Sequence, residues 1–190
     1  QLTVNDTDYS SPTDVVEKFA QLYAHVSSNS QYAPATLSHL QNSLAGCDFS
    51  SNNSETYNQP FTIYELKLSI TKCNNTSVGP DQLSYAFFKN LSDQGLHNLL
   101  AAYNDMWITE TFPNTWSTST IIPILKPGKI SSHPASYRPI SLTSCASKIF
   151  ERMVNGRIRV YLDKHNILTP FQNGFRTKRS TIDSVIKLVD

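Results

Sequence analysis

The chain has 190 residues, of which 39% are hydrophobic and 11% aromatic. This composition supplies enough apolar material for a packed core, so it excludes global disorder and fits one large domain, or one domain with an appendage. The formal net charge of +1 hides an uneven distribution: residues 1–120 carry four Lys/Arg and eleven Asp/Glu, whereas residues 121–190 carry twelve Lys/Arg and four Asp/Glu. Such a basic block predicts a polyanionic partner, most commonly nucleic acid.

Several other classes of protein are disfavoured by what the sequence lacks. No apolar run approaches the length of a membrane span, so no membrane partner is expected. Cys47, Cys73 and Cys145 have no metal-type or pairing spacing, which favours reduced thiols in an intracellular protein. The chain does not begin with methionine and has no signal-peptide pattern, so we interpret it as a piece of a longer protein.

The first 118 residues are predicted to be helical apart from one long polar stretch. Ser11 and Pro12 indicate a helix start, and an apolar stripe follows up to Val26. Residues 27–60 are rich in Ser, Asn, Gln and Thr, and we predict a loop or a loosely ordered linker there. Residues 1–60 are therefore interpreted as an N-terminal helix and polar linker. Further helices are predicted from a capping box at Thr62–Glu65, around residues 85–91 and over residues 94–109.

The remaining residues are predicted to contain a hairpin followed by two helices. Residues 120–125 are apolar and β-branched, as is typical of a strand, and residues 138–142 are predicted to be the returning strand, with a basic turn between them. Residues 146–165 form the best-defined helix, with a broad apolar arc that includes Ile158 and Tyr161, and an amphipathic helix begins at Thr181. The fold class is therefore α+β, mostly helical with a short antiparallel β-hairpin.

The sequence contains no complete catalytic constellation. It has no H-E-x-x-H, G-x-S-x-G or Walker A motif, and no closely spaced carboxylate pair follows Thr120. Lys126, Lys129 and Arg138 lie on the predicted hairpin, where they could surround a triphosphate, but a surface turn with solvated charges fits the pattern equally well. Lys148, Arg152 and Arg159 fall on one side of the long helix, where an ordinary solvated face is the simpler interpretation.

An ordered series of motifs resembles the reverse transcriptases of non-LTR (LINE-like, Jockey-type) retrotransposons. Each motif is weak alone, and the resemblance comes from their order and spacing over residues 60–190. The motifs are Val78–Asp81, Phe112-Pro113 with Trp116, Ile121–Lys129, Tyr137–Leu142, Lys148–Glu151, and Gln172–Arg176 with Ser180-Thr181.

The resemblance implies the fingers part of a right-hand polymerase, truncated before the palm. Residues 61–118 would be a helical N-terminal extension, and residues 119–190 the fingers hairpin, a basic helix and the start of the next helix. It assigns the dNTP triphosphate to Lys126, Lys129 and Arg138. It assigns RNA template and DNA primer contacts to Gly79, Pro80, Asp81, Lys148, Arg152, Gln172, Gly174, Phe175 and Arg176. Asn173 departs from the aromatic or aliphatic residue more usual at its position.

The same resemblance implies that catalysis depends on parts of the enzyme outside this chain. Mg²⁺ would be held by palm aspartates that the chain does not contain, so the chain alone is expected to be inactive. The missing palm and thumb would be its intramolecular partners. Two alternatives remain: a non-catalytic RNA-binding module derived from such an element, and a remnant without surviving activity.

Overall fold

A computed structural model describes residues 1–47, 55–176 and 178–189 of the chain. Within these residues, helices predominate and two small antiparallel sheets accompany them. The elements are, in chain order, β1 (Leu2–Val4), β2 (Thr7–Tyr9), α1 (Pro12–Val26), α2 (Pro34–Ala45), α3 (Ile63–Thr71), α4 (Tyr85–Lys89), α5 (Asp93–Thr109), β3 (Thr120–Leu125), β4 (Tyr137–Leu142), α6 (Cys145–Lys164) and α7 (Thr181–Val189).

These elements belong to two compact units, and each unit is assembled from separate stretches of chain. Unit 1 comprises the described residues of Gln1–Asn53, Ser77–Leu83 and Pro113–Ser144. Unit 2 comprises those of Ser54–Thr76, Ser84–Phe112 and Cys145–Asp190. No helix in the described parts of the chain is long and apolar enough to cross a membrane.

Unit 1 has a small core in which α1 packs beside the β3–β4 hairpin. The Ser11 hydroxyl caps α1 by accepting a hydrogen bond from the Asp14 backbone N–H at 3.2 Å, as the sequence predicts. Phe19 of α1 is buried and meets the Tyr137 ring edge-on, with ring centroids 5.0 Å apart. The β1–β2 hairpin joins the unit through a hydrogen bond from the Thr3 N–H to the Ser132 carbonyl at 2.7 Å.

The β3–β4 pair confirms the predicted hairpin and shows why it stays two-stranded. Its strands are antiparallel, and Pro123 lies directly opposite Pro139. Proline has no N–H to donate to a ladder, so each strand is suited to an edge position. Ile121 and Pro123 line an apolar cavity together with α1. The residues that alternate with Ile121 and Pro123 along β3 therefore lie on the other face of the hairpin.

One prediction for the N-terminal region is wrong, and two short strands there were not predicted. The polar stretch 27–60 contains a helix, α2, which begins with Pro34 at its first turn. Every residue of α2 is exposed except the half-buried Leu37, so its polar composition is that of a solvated helix. The sequence also did not predict β1 and β2, which are only three residues each. Residues 48–54 of the expected linker lie outside the described part of the chain.

Unit 2 has the larger core, built where α3, α5 and α6 meet. Its centre is the buried Phe150 ring of α6, whose centroid lies 5.7 Å from that of Phe61, 5.4 Å from Tyr103 and 5.6 Å from Phe112. Edge-to-face contacts of this kind add to the apolar burial that stabilises a core. Thr62 and Glu65 form the predicted capping box at the start of α3.

The predicted apolar arc of α6 is only partly buried. Ile149, Phe150 and Met153 in its first half are buried, as expected. Ile158 is 50% exposed and Tyr161 36% exposed, so the apolar arc continues into the second half of α6 without being buried there. The reason is that α3, against which α6 packs, is only nine residues long and covers less than the full twenty-residue helix.

Candidate functional site

The first candidate site lies on the β3–β4 hairpin of unit 1, where Arg138 occupies an exposed position. Arg138 lies directly opposite Ile124, and directly opposed residues share one face of a sheet. This face also carries the exposed Ile122 and Ile140 and is opposite to the face of Pro123 that meets α1. The Arg138 guanidinium has no hydrogen-bond or ion-pair partner among the described residues, so its donors are available to a ligand.

The turn of the hairpin separates two lysines with different surroundings. Lys126 is half-buried, and its ammonium donates a hydrogen bond to the Ala135 carbonyl at 2.9 Å. Gly128 has φ of +70°, and the Lys129 N–H closes a turn onto the Lys126 carbonyl at 3.2 Å. The Lys129 side chain is exposed and has no polar partner in the described structure. Lys126 therefore stabilises the turn, whereas Lys129 is available to bind a ligand.

The Gly79-Pro80-Asp81 segment packs against the end of β4, also within unit 1. A Cβ on Gly79 would lie 2.5 Å from the Thr143 carbonyl oxygen, so only glycine fits this backbone approach. The Ser144 hydroxyl donates a 2.5 Å hydrogen bond to the Asp81 carboxylate, while Pro80 is exposed. These contacts give the motif a structural role. Contact with a template remains a prediction for these three residues.

In unit 2, the loop after α6 presents an aromatic ring. Phe175 is fully exposed and has φ of +61°, and the neighbouring Gln172 and Gly174 are exposed as well. Arg176 is less available, because it lies 3.7 Å from the Asp163 carboxylate and donates to the Thr169 carbonyl at 3.2 Å.

Asn173, which departs from the usual pattern, anchors this loop. It is 4% exposed, its amide donates to the Ser184 hydroxyl of α7 at 3.0 Å, and its carbonyl accepts from Arg179 at 3.2 Å. A buried amide needs such partners, so the substitution is accommodated by specific hydrogen bonds.

The three cations predicted on one side of α6 have different environments. Lys148 is half-buried and has no polar partner in the described chain. Arg152 is exposed and donates to the Lys72 carbonyl at 3.3 Å. Arg159 donates to the Phe175 carbonyl at 3.4 Å. Lys148 and Arg152 thus remain accessible, as a binding role would require.

Arg157 donates five side-chain hydrogen bonds in the described structure, and the sequence analysis did not identify it as a key residue. It makes a bidentate pair with Glu65, from Nε at 2.8 Å and Nη2 at 3.0 Å. It also donates to the carbonyls of Tyr57 at 2.9 Å, Pro60 at 3.1 Å and Gln59, and it lies 4.0 Å from the Phe61 ring centroid. The available signal was its position four residues after Met153, on the buried side of α6.

The Arg157 pair changes the titration of Glu65. Burial alone would raise the pKa of this carboxyl, but hydrogen bonds from Arg157 and Thr62, together with the Arg157 charge, lower the pKa below its usual value. Glu65 is therefore an ionised structural group and has no features of a general acid.

Within residues 1–47, 55–176 and 178–189, the other reactive side chains form no metal-binding group. Among the residues that the structure describes, no group of three or more His, Cys, Asp or Glu could hold a metal ion. All three cysteines are free thiols, and burial raises the pKa of Cys73, which disfavours a nucleophilic thiolate. Unit 1 provides exposed cations for binding an anionic ligand, and unit 2 provides exposed cations and the exposed Phe175 ring.

Comparison with known proteins gives this chemistry a context. No protein-family model matches the chain. The chain is 38% identical over 112 residues, 59% of its length, to a probable RNA-directed DNA polymerase from transposon BS of Drosophila melanogaster. It is 33% identical over 132 residues, 69% of its length, to that from transposon X-element of the same species and to the RNA-directed DNA polymerase from mobile element jockey of Drosophila funebris.

These matches identify the chain as a relative of RNA-directed DNA polymerases. The polymerases it matches are those of non-LTR retrotransposons, the jockey element among them, so the resemblance seen in the sequence motifs is confirmed. The chain spans only 12 to 14% of the length of the curated relatives named above.

Proposed function

We propose that this chain is the fingers part of a mobile-element RNA-directed DNA polymerase, which binds the incoming dNTP and the RNA template. The observation that carries the proposal is the exposed, unpartnered state of Lys129 and Arg138 on a hairpin of a chain related to such polymerases. Within this proposal, residues 61–118 are the N-terminal extension and residues 119–190 belong to the fingers. We further propose that the protein acts inside the cell, in the cytoplasm and nucleus.

The hairpin suits a triphosphate because its cations differ in the geometry of their hydrogen-bond donors and in the mobility of their side chains. Arg138 offers a planar fork of donors to phosphate oxygens, and Lys129 offers a point charge on a flexible stem. Lys126 holds the turn through its bond to Ala135, which limits how far Lys129 can move from the strands. Fixed cations of this kind stabilise the negative charge that develops when a primer 3′-hydroxyl attacks the α-phosphate and pyrophosphate leaves.

The metal requirement is proposed to be met elsewhere in the parent polymerase. Nucleotide addition uses Mg²⁺ ions that carboxylates hold against the attacking and leaving oxygens. The described residues offer no such group, so we propose that palm aspartates of the parent protein hold the ions and that this chain alone adds no nucleotides.

The template side of the proposal is best supported at Phe175. Its fully exposed ring provides a stacking surface for a base, beside the exposed Gln172 and Gly174. Lys148 and Arg152 add accessible charge on α6 of the same unit. The support is weaker for Asp81 and Arg176, because the carboxylate and guanidinium of these residues are already bound within the chain.

The test uses the parent polymerase with single neutralising substitutions. We expect Arg138→Gln and Lys129→Gln each to raise the KM for dNTP about tenfold, the effect of losing about 1.4 kcal/mol of binding. Lys89→Gln is the matched control, because Lys89 is an exposed cation of unit 2 that is absent from the proposed site. An unchanged KM in both hairpin variants would remove Lys129 and Arg138 from the nucleotide site. RNA binding without any nucleotide addition by the unmodified parent protein would favour the non-catalytic RNA-binding module instead.

A further inference from the structure

Unit 2 contains a groove of about 660 Å³ whose lining comes chiefly from α3, α6 and the segment before α3. Its apolar surface is contributed by side chains on facing sides of these helices, namely Leu68, Met153 and Val160. Apart from the neighbouring residues and the helix's own backbone, no heavy atom lies within 4 Å of the position that a Cβ would take on Gly156, so the α6 backbone is accessible from the groove. The groove can therefore admit a ligand close to the helix.

The groove has surplus positive charge. Arg157 and Glu65 in its lining neutralise each other through their bidentate pair. Lys72, Arg152 and Lys164 remain, against Glu55 as the other acidic residue of the lining. Lys72 and Lys164 are exposed, and their ammonium groups have no polar partner among the described residues. Charge of this sign along a groove favours a polyanion.

Three aromatic rings lie together at the Lys164 end of the groove. The Tyr161 ring centroid is 4.5 Å from that of His165 and 5.1 Å from that of Tyr57. Tyr161 is 36% exposed, so part of its ring is available. Arg152 and Lys164 are twelve residues apart on α6, which corresponds to about 18 Å along a helix. This length accommodates a short run of nucleotides.

We propose that this groove is a second nucleic-acid site that binds a single-stranded segment, with phosphates on Lys72, Arg152 and Lys164 and a base on the Tyr161 ring. The inference rests on the proposed polymerase function. Of the four residues named, only Arg152 is also one of the proposed template contacts, and none belongs to the nucleotide-binding hairpin. Single-strand binding combines cations that follow the backbone with aromatic rings that stack on bases, and the groove has both. An acidic amphipathic peptide would match the charge and the apolar floor but would leave the exposed Tyr161 face without a specific role.

The experiment measures binding of fluorescent single-stranded RNA and DNA oligonucleotides of about twelve nucleotides to the 190-residue chain, by anisotropy over a range of salt. The test variant is Lys72→Gln with Lys164→Gln. Its matched control is Lys67→Gln with Lys89→Gln, which removes the same charge at exposed positions of unit 2 outside the groove. Circular dichroism checks that each variant is folded.

We expect the groove variant to bind about tenfold more weakly, and the slope of log affinity against log salt to fall by about 1.4 for two lost single-strand phosphate contacts. The control should change affinity less than about twofold. Tyr161→Leu should weaken binding, whereas Tyr161→Phe should not, because only the first removes the ring. Similar losses with RNA and DNA would indicate recognition of any single strand, and a larger loss with RNA would indicate the template.

Three results would overturn the inference. The first is that the unmodified chain does not bind the oligonucleotides at low salt. The second is that the groove and control variants weaken oligonucleotide binding equally. The third is that the chain binds an acidic peptide through Lys72 and Lys164, while its nucleic-acid binding does not depend on these two residues. Each of these results leaves the dNTP test of Lys129 and Arg138 unaffected, so the groove and the nucleotide site fail separately. Absence of binding by the unmodified chain would also count against template binding at Phe175, whereas the other two results would not.

Discussion

Substituting Arg157 by methionine tests whether this residue holds unit 2 together. Methionine keeps an unbranched apolar stem beside Phe61 but removes the bidentate bond to Glu65 and the donors to three backbone carbonyls. The Glu65 carboxylate then loses its cation in a partly buried environment. We therefore expect a substantial loss in the free energy of unfolding.

The structure limits the size of this loss. The Arg157 side chain is 14% exposed and that of Glu65 28% exposed, so the pair is neither fully buried nor free in solvent. Breaking fully buried pairs costs about 3–5 kcal/mol, whereas exposed pairs contribute about 0–1 kcal/mol. The bonds to Gln59 and Pro60 are at exposed residues, where water replaces them at small cost. We expect about 3 kcal/mol, or a fall in Tm of about 6–12 °C for a chain of this size.

The control is Lys67→Met, which breaks an ion pair made by α3, the helix that also carries Glu65. Lys67 lies 3.1 Å from Asp93, but the two side chains are 51% and 82% exposed, so we expect a change below about 1 kcal/mol. Both variants are measured by urea denaturation with circular dichroism.

The effect of Arg157 should also depend on pH. The lowered pKa of Glu65 means that its stabilising contribution is present above the unfolded value of about 4.5 and is lost as pH falls through the folded value. The Arg157→Met curve should therefore approach that of the unmodified chain in acid. A loss no larger than that of Lys67→Met, or a difference that does not narrow in acid, would refute the reasoning.

Two further predictions concern backbone packing and alkaline stability. Gly79→Ala should destabilise the chain by about 1–3 kcal/mol, because its Cβ would meet a backbone carbonyl oxygen at 2.5 Å. Gly156→Ala in α6 should stabilise the chain by about 0.5–1 kcal/mol, because the surroundings of Gly156 are open. Denaturation curves of the two variants that shift in the same direction would contradict this reasoning. Burial raises the pKa of Tyr85 to about 12 and raises that of Tyr103 as well, so stability should fall as pH rises above the ordinary value of about 10. Ultraviolet titration should show these two phenols ionising with unfolding, and ionisation of all nine tyrosines near pH 10 in a folded chain would exclude the proposed cause.

Much of the secondary structure could be predicted from local patterns. The α1 and α3 starts follow from capping residues, and α6 follows from its periodicity, because these interactions join residues within a few positions. The solvated helix α2 was missed, since it lacks an apolar stripe and its residues are nearly all exposed. The periodicity of α6 placed Ile158 on the apolar arc but could not show that it is exposed, because the extent of the neighbouring helix α3 is not visible in that periodicity.

The candidate site was predictable as a set of residues but not as a set of contacts. The hairpin pattern located Lys126, Lys129 and Arg138 together. It could not show that Lys126 is bonded to the Ala135 carbonyl while the other two cations are free of polar partners in the described structure.

By itself, the sequence determined the family, the basic character of residues 121–190 and most helix and strand positions, since these depend on composition, motif order and local periodicity. The tertiary structure decided which charged groups are already occupied. The bond between Ser144 and Asp81 joins residues 63 positions apart, and that between Arg157 and Glu65 joins residues 92 apart. Such partners are chosen by packing of distant segments in three dimensions, for which no local pattern carries a signal.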